Sequence, residues 1–188
     1  MTATRRLIVA VTGSSAPQIA WTLLGALRSI SEIEAHVVIS KNAERCIQAE
    51  MGVGRKEFEE LGDVVYDPDD MTAAISSGSF ITAGMVIVPC SMKTLAAVAN
   101  GVSVGLVARA ADVCLKERRR LVLVTRETPL SLIHLHNMEA VTLAGAVVLP
   151  PVPAFYHQPQ SLEDLLRHTA GKILDQFDID HDLFARWS

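Results

Sequence analysis

The sequence predicts an α/β fold, a doubly wound parallel sheet in a single domain spanning residues 1–188. Apolar, β-branched runs recur along the chain without polar alternation, as expected of strands that are buried on both faces. Stretches with helical spacing separate these runs, and strands that alternate with helices favour a parallel sheet covered on both sides. A chain of 188 residues is also long enough to bury one sizeable core.

The first half of the chain begins with the apolar run RLIVAVT (6–12), which predicts a buried strand. A tight turn over 13–17 follows, and apolar residues at helical spacing predict a helix over 18–30. The remaining elements share the same two patterns and are a strand at 34–39, helices at 42–50 and 56–61, and a short strand at 63–66. Pro68, Asp69 and Asp70 then predict a turn that can cap the next helix.

The second half of the chain again alternates predicted strands with predicted helices. Its apolar runs predict strands at 85–89, 120–125 and 146–149, and its helical patterns cover 93–99, 106–117, 132–144 and 162–176. Three prolines within 150–153 exclude a helix or a central strand there. Ser161 is the predicted N-cap of the last helix, with Glu163 and Asp164 in its first turn, where the helix dipole favours acids.

Composition excludes several classes of protein. The net charge of −4 argues against general nucleic-acid binding. No apolar run approaches the roughly 20 residues that span a membrane. The odd cysteine count, Cys46, Cys90 and Cys114, without metal-like spacing predicts reduced thiols, no metal site and a cytoplasmic protein. A hydrophobic fraction of 49% suggests contacts between subunits.

Polar side chains follow four of the predicted strands at the point where each strand ends. They are Gly13, Ser14 and Ser15; Ser40; Ser91, Lys93 and Thr94; and Arg126 and Glu127. Because ligands of doubly wound sheets bind outside the carboxyl ends of the strands, this convergence predicts a ligand site at that edge.

The first loop, TGSSAP, narrows the class of ligand. It is not GxGxxG and it lacks the P-loop lysine, so ATP hydrolysis is not expected. A glycine turn, two hydroxyls and a helix start can still hold one phosphate, and Arg126 adds a fork suited to phosphate or to a flavin carbonyl. This donor-rich, weakly charged set suits FMN better than a dinucleotide.

Several sequence blocks resemble the UbiX-type flavin prenyltransferases of the flavoprotein family. They are SSGSF (76–80), GMVIVPCSMKTLA (84–96), RAADVCLKERR (109–119), RETPL (126–130), PPVPAFY (150–156), LDQF (174–177) and FARW (184–187). The resemblance implies a Rossmann-like flavoprotein fold, a homo-oligomer (a dodecamer) and metal independence. It also implies transfer of a dimethylallyl group from its phosphate to N5 and C6 of reduced FMN, which makes prenylated FMN for a UbiD-type decarboxylase.

The resemblance also implies the roles of individual residues. FMN would lie against Gly13, Ser14, Ser15, Ser40, Ser91, Met92, Lys93, Thr94 and Arg126. The prenyl phosphate would meet Lys116, Tyr156 and Lys172, several of them from a neighbouring subunit, and Trp187 would flank the allyl group. Glu127, Glu50 and Ser15 would handle protons at the reacting flavin.

Three positions depart from the family pattern. Ala16 stands in the first loop and is tolerable only if it avoids a positive φ. Lys172 stands where the family usually has an arginine. Because lysine lacks the guanidinium group that can make two parallel hydrogen bonds, this change predicts weaker binding of the prenyl phosphate. Val104 stands where relatives carry an acid or amide before a helix, and its lack of a capping group would loosen FMN binding or change assembly.

Alternatives remain open. Glu127 could pair with a neighbouring base, Tyr156 could be an ordinary packed ring, and Glu50 could be a helix-end acid. Cys90 is expected to be a small buried hydrophobe rather than a nucleophile. For the whole protein, one alternative is an FMN carrier without prenyl transfer, and another is a flavoprotein that oxidatively decarboxylates peptidyl cysteines.

Overall fold

The computed structural model describes residues 4–187 and contains one parallel sheet of six strands in the order β3-β2-β1-β4-β5-β6. The strands are β1 (Arg5–Val11), β2 (Ile33–Ile39), β3 (Val64–Tyr66), β4 (Gly84–Cys90), β5 (Arg120–Thr125) and β6 (Val147–Val148). The helices are α1 (Gln18–Leu27), α2 (Lys41–Met51), α3 (Arg55–Glu59), α4 (Met92–Ala99), α5 (Gly105–Lys116), α6 (Leu132–Leu143) and α7 (Leu162–Asp175). The predicted doubly wound parallel fold is confirmed.

The two faces of the sheet carry separate apolar cores, which explains the absence of polar alternation in the strands. Leu7, Val9 and Val11 pack on the face covered by α1 and α7. Ile8 and Ala10 pack on the other face, against α4, α5 and α6. Successive side chains of a strand point to opposite faces, so a strand covered on both sides needs an apolar residue at every position.

The strand order reverses between β1 and β4. From β1 the chain moves outward to β2 and β3, then returns to place β4 on the other side of β1. The helices that leave β1 and β4 therefore diverge to opposite faces and open a crevice at the carboxyl ends of these two strands. This crevice holds most of the predicted strand-end residues.

The segment after β3 differs from its prediction. No side chain of the turn at 68–70 caps a helix; the segment continues into a 3₁₀ turn over Ala74–Ser76, whose N-cap Ala73 makes no side-chain bond. Asp70 instead accepts hydrogen bonds from the backbone N–H and hydroxyl of Thr72, at 2.8 and 2.6 Å. The capping prediction was wrong because the Asp70 carboxylate accepts hydrogen bonds from donors within its own turn, as Asp side chains often do.

The remaining local predictions agree with the structure to within a few residues. Ser161 caps α7, and Asp164 completes the capping box. The proline-rich 150–153 segment is irregular. Across residues 4–187, no helix combines the length and apolar character needed to cross a membrane.

Candidate functional site

A cavity of about 410 Å³ lies in the crevice at the carboxyl edge of the sheet. The loops after β1, β2 and β4 and the first turn of α5 form its walls, and they contribute Thr12, Gly13, Ser40, Asn42, Ser91, Lys93, Thr94, Val104 and Gly105. We call Gly13, Ser14, Ser15, Ser40, Ser91 and Thr94 the strand-end cradle. The structure thus brings together residues from separate loops that the sequence analysis grouped by their position after strands.

Two helices begin in the cradle with serine caps. The Ser40 hydroxyl accepts the Ala43 N–H at 3.2 Å, and the Ser91 hydroxyl accepts the Thr94 N–H at 3.3 Å. Ser91 Oγ also lies 3.0 Å from Thr94 Oγ1. The helix dipoles and the remaining unpaired N–H groups of these first turns favour an anionic ligand.

Thr12 positions the second of these caps and was missed as a site residue by the sequence analysis. Its buried hydroxyl donates to the Pro89 carbonyl at 2.7 Å and accepts the Ser91 N–H at 2.9 Å. One side chain therefore joins the ends of β1 and β4 across the crevice. Its signal in the sequence is a hydroxyl that ends an otherwise apolar run.

The loop after β1 is shaped by close packing. A Cβ added at Gly13 would lie 2.5 Å from Cβ of Asn42, so only glycine fits there. The Ser14 hydroxyl donates to the Arg126 carbonyl at 3.0 Å, which links the loop to the end of β5. No hydrogen bond to the Ser15 side chain is present among the described residues, so this hydroxyl can serve a ligand.

Ala16 has a φ of +74°, contrary to the expectation that an alanine here must avoid positive φ. This conformation costs an L-residue roughly 1–2 kcal/mol. The Ala16 N–H donates to Glu50 Oε2 at 2.9 Å, from the end of α2. Glu50 is therefore more than a solvated acid at a helix end, because it holds the strained loop beside Ser15.

Arg126 and Glu127 follow β5 without ionic partners. The Arg126 N–H donates to the Cys90 carbonyl at 3.3 Å, which fixes the backbone, whereas its guanidinium makes no salt bridge to any residue in 4–187. Glu127 is exposed and accepts only the N–H of the next residue, Thr128, at 3.0 Å. Within residues 4–187, Glu127 therefore does not pair with a neighbouring base, which was the alternative to a catalytic role.

Cys90 lies directly behind the cradle. Burial raises the pKa of its thiol to about 12, and the side chain is fully buried in the core. A thiol that stays protonated is a poor nucleophile. This agrees with the expectation that Cys90 is a small hydrophobe.

The start of α5 shows how the chain manages without an acid at position 104. Val104 is the N-cap and makes no side-chain bond. The Leu106 N–H donates instead to the Pro68 carbonyl at 2.9 Å, so the loop after β3 caps the helix. Lys41 and Asp69 add a salt bridge of 2.5 Å at the same side of the cavity. The Pro68 carbonyl thus takes the place of a capping side chain at Val104, and the effect of Val104 on FMN binding stays a prediction.

A second group of predicted residues lies at the end of the chain. We call Tyr156, His157, His168, Phe184 and Trp187 the C-terminal cluster, because their rings pack edge-to-face or stacked with centroids 4.6–5.7 Å apart. Tyr156 is 43% exposed, so it is not a fully packed core ring. A cavity of about 290 Å³ beside α7 is lined by His168 and Lys172 and by the apolar chain of 147–152.

Asp175 ties the chain end to α7. Its carboxylate lies 3.1 Å from Lys172 Nζ, 3.1 Å from His181 Nε2 and 2.8 Å from an Arg186 guanidinium nitrogen. Burial raises the pKa of Asp175, but hydrogen bonds from Arg186 and Lys172 outweigh it and lower this pKa to about 2. The ionised carboxylate thus holds Lys172 and the tail that carries Trp187.

Lys116 lies in neither the strand-end cradle nor the C-terminal cluster. It ends α5, which runs from the cavity to the amino end of β5, roughly 16 Å away for a helix of 12 residues. Its ammonium pairs with Glu117. A larger groove of about 500 Å³ lies at this amino edge and is lined by arginines, including Arg5, Arg118 and Arg120, but it lacks the helix starts that distinguish the carboxyl edge.

No group of three or more potential metal-ligating side chains is found within the described part of the chain. His134 accepts the Ser131 N–H in the capping box of α6, at 3.2 Å. The donors at the carboxyl-edge cavity are hydroxyls, backbone amides and the ammonium groups of Lys41 and Lys93. The C-terminal cluster offers a phenol, and Lys172 lines the neighbouring cavity.

Comparisons with known proteins agree with this geometry. The Flavoprotein family profile matches residues 1–174. The flavin prenyltransferase UbiX of Escherichia coli strain K12 is 50% identical over 97% of this chain and 98% of its own. The solved structure of AnUbiX (PadA1) in complex with FMN and dimethylallyl pyrophosphate is 51% identical, with a TM-score of 0.96 and 98% of both chains covered.

A second solved structure has the same fold in an assembly. It is a dodecameric FMN-dependent UbiX-like decarboxylase from Escherichia coli O157:H7, 46% identical, with a TM-score of 0.94, covering 97% of this chain and 98% of its own. The similarity spans nearly the whole of each protein and includes the loops that form the cavity. The chain therefore belongs to the Flavoprotein family and, within it, to the UbiX-type proteins.

Proposed function

We propose that this protein is a flavin prenyltransferase. It joins the dimethylallyl group of dimethylallyl phosphate to N5 and C6 of reduced FMN, and its product serves a UbiD-type decarboxylase. The observation that carries this proposal is the near-complete match to a relative bound to FMN and dimethylallyl pyrophosphate. The cavity with its hydroxyls, and the C-terminal cluster with the neighbouring Lys172, support the two binding functions that such a reaction requires.

The residues at the carboxyl edge fit FMN. The groups that would hold it are Gly13, Ser14, Ser15, Ser40, Ser91, Met92, Lys93, Thr94 and Arg126. The two capped helix starts suit the phosphate, and the unpaired Arg126 guanidinium suits a second polar group of the ligand. When bound, reduced FMN supplies the electron-rich nitrogen and ring carbon that form the new bonds.

The residues for the prenyl phosphate are Lys116, Tyr156, Lys172 and Trp187. Cations and a phenol stabilise the negative charge on the departing phosphate, and an aromatic ring favours an allylic cation. Because Lys116 shares neither a cavity nor a hydrogen bond with the other three within residues 4–187, we infer that it acts from a neighbouring copy in a dodecamer. The dodecameric relative supports this arrangement.

Carboxylates near the cavity would move protons. Glu127 has no ionic partner in the described chain and would accept the proton that leaves the ring carbon. Glu50 and Ser15 are neighbours through the Ala16 N–H and would orient the flavin edge. The free thiols at Cys46, Cys90 and Cys114 support a reducing, cytoplasmic setting, which stays a prediction.

The decisive experiment is anaerobic. The protein is mixed with FMN, dithionite and dimethylallyl monophosphate, and the released flavin is weighed by mass spectrometry. A flavin heavier by one five-carbon unit is expected from the wild type, and a much slower gain is expected from Glu127→Gln. A run with the diphosphate identifies the preferred donor.

Unchanged FMN despite tight binding would favour the carrier alternative. One observation supports that alternative for a single chain: its cradle is assembled, whereas Lys116 lies apart and Lys172 is paired with Asp175. Flavin reduction by a peptide ending in cysteine would instead favour the oxidative decarboxylase.

A further inference from the structure

The hydroxyl of Tyr156 has a specific partner outside the predicted site residues. Tyr156 Oη lies 3.0 Å from His168 Nε2, and no other hydrogen bond of this hydroxyl is present among residues 4–187. His168 is 7% exposed and belongs to α7, one turn before Lys172. The two side chains on this helix line the same cavity of about 290 Å³.

The imidazole of His168 is held in place from both sides. His157 stacks on it with ring centroids 4.8 Å apart and an interplanar angle of 7°, and Phe184 packs at 4.6 Å. Neither ring nitrogen of His157 has a hydrogen-bond partner in the described chain, so His157 contributes a stacking surface rather than a polar contact. The contacts with His157 and Phe184 restrict the orientation of the His168 ring, whose Nε2 faces the phenol of Tyr156.

The protonation state of His168 decides what the phenol can do. Burial is the largest cause that lowers the pKa of His168, and the nearby charges of His157 and Lys172 lower it further, although Asp175 opposes them. A neutral imidazole carries one N–H, on either nitrogen. If Nε2 carries it, His168 donates to Tyr156 Oη, and the phenol proton is left to bond a phosphate oxygen.

The other tautomer would give the opposite result. The phenol would then donate to Nε2 and present only lone pairs to an anion, which repels it. A phosphate ligand therefore favours the tautomer with hydrogen on Nε2.

We propose that His168 is a positioning residue that directs the Tyr156 hydroxyl proton toward the prenyl phosphate. This inference rests on the proposed function, since it assumes that Tyr156 contacts that phosphate. His168 acts through Tyr156 and does not itself touch the reacting atoms. Its loss should weaken binding of the prenyl phosphate and leave FMN binding unchanged.

The test compares five variants with the wild-type protein, each in its full assembly and loaded with FMN. His168→Phe keeps the ring and removes Nε2, whereas His168→Gln keeps an N–H donor at a similar position. His157→Phe is the matched control, because it keeps an aromatic ring in the stack and His157 makes no hydrogen bond to the phenol in the described chain. Tyr156→Phe, alone and combined with His168→Phe, completes a double-mutant cycle.

Binding of dimethylallyl monophosphate is measured by calorimetry, and KM and kcat by formation of prenylated flavin. His168→Phe is expected to raise the Kd and KM for the prenyl phosphate by about fivefold to tenfold, the equivalent of one hydrogen bond. His168→Gln should restore most of this loss, and His157→Phe should match the wild type. In the Tyr156→Phe background, His168→Phe should change the Kd by less than about twofold.

Three results would overturn the inference while leaving the proposed function intact: a wild-type Kd in His168→Phe, an equal loss in His157→Phe, or an undiminished effect of His168→Phe without the tyrosine hydroxyl. Failure of the wild type to form prenylated flavin would overturn the proposed function instead. The calorimetric cycle would still decide whether His168 acts through Tyr156. Thermal unfolding of each variant separates loss of folding from loss of binding, and His168→Gln remains informative if His168→Phe does not fold.

Discussion

The strand-end cradle and the C-terminal cluster are held together by different physical means. The cradle presents hydroxyls and backbone amides from loops of one sheet, and no salt bridge joins its six residues in the described chain. The cluster presents rings and charges, gathered by a tail that folds back on α7 and is held by Asp175. A site made of fixed neutral dipoles tolerates changes of pH and salt but not of shape. The ion pairs by which Asp175 holds the tail have the reverse sensitivity.

The shape dependence of the cradle is tested most strongly at Gly13, where the largest effect is expected. In Gly13→Ala the new methyl would lie 2.5 Å from Asn42 Cβ and 3.1 Å from its backbone carbon. Such overpacking should lower the free energy of unfolding by about 1–3 kcal/mol. FMN affinity, measured by fluorescence titration, should fall at least about tenfold, the equivalent of 1.4 kcal/mol.

Gly25→Ala is the control for Gly13→Ala, because a Cβ at this position of α1 meets nothing within 4 Å. It should stabilise the protein by about 0.5–1 kcal/mol, as alanine does in a helix interior. A Gly13→Ala protein that binds FMN as the wild type does would show that the cradle is not shape-limited.

The charge dependence of the cluster is tested at Asp175. Its pKa of about 2 lies below the ordinary 3.8, so its ionisation stabilises the folded state above about pH 4, and this contribution is lost as pH falls toward 2. Asp175→Asn should lower the free energy of unfolding at pH 7 by about 2 kcal/mol. It should also raise the KM for the prenyl phosphate, because Lys172 and the tail lose their anchor.

Denaturant unfolding at pH 7 and near pH 2 measures this difference. The gap between wild type and Asp175→Asn should shrink at the lower pH. Asp182→Asn, which removes an exposed carboxylate from the same tail, should change little. A gap that is the same at both pH values would mean that Asp175 acts through packing rather than charge.

The smallest effect is expected at Ala16, which follows the cradle residue Ser15. Its backbone conformation is strained, and the residue does not line the cavity. Ala16→Gly removes the cost of a φ of +74° but adds freedom to the unfolded chain. The net stabilisation should be about 0.5–1 kcal/mol by thermal unfolding, with FMN affinity unchanged. A destabilised variant would indicate that the Glu50 contact has relaxed the strain.

Much of the fold and part of the site were predictable because their signals are local. Buried strands, helices and serine caps such as Ser161 can be recognised from a few neighbouring residues of the sequence. Strand-end residues could be grouped because the carboxyl ends of parallel strands meet at one edge. Thr12 and Glu50 show the limit, since their partners lie 77 to 79 and 34 residues away in the chain.

The sequence by itself determined the parallel α/β class, the approximate elements and the edge of the sheet where polar side chains gather, since periodicity and composition act over a few neighbouring residues. Only the tertiary structure decided the strand order, the positive φ of Ala16 and the pairing of Tyr156 with His168. These features depend on how helices and loops distant in sequence pack together. Packing can hold a residue such as Ala16 at a positive φ although alanine prefers a negative one, and a local sequence pattern does not predict this conformation.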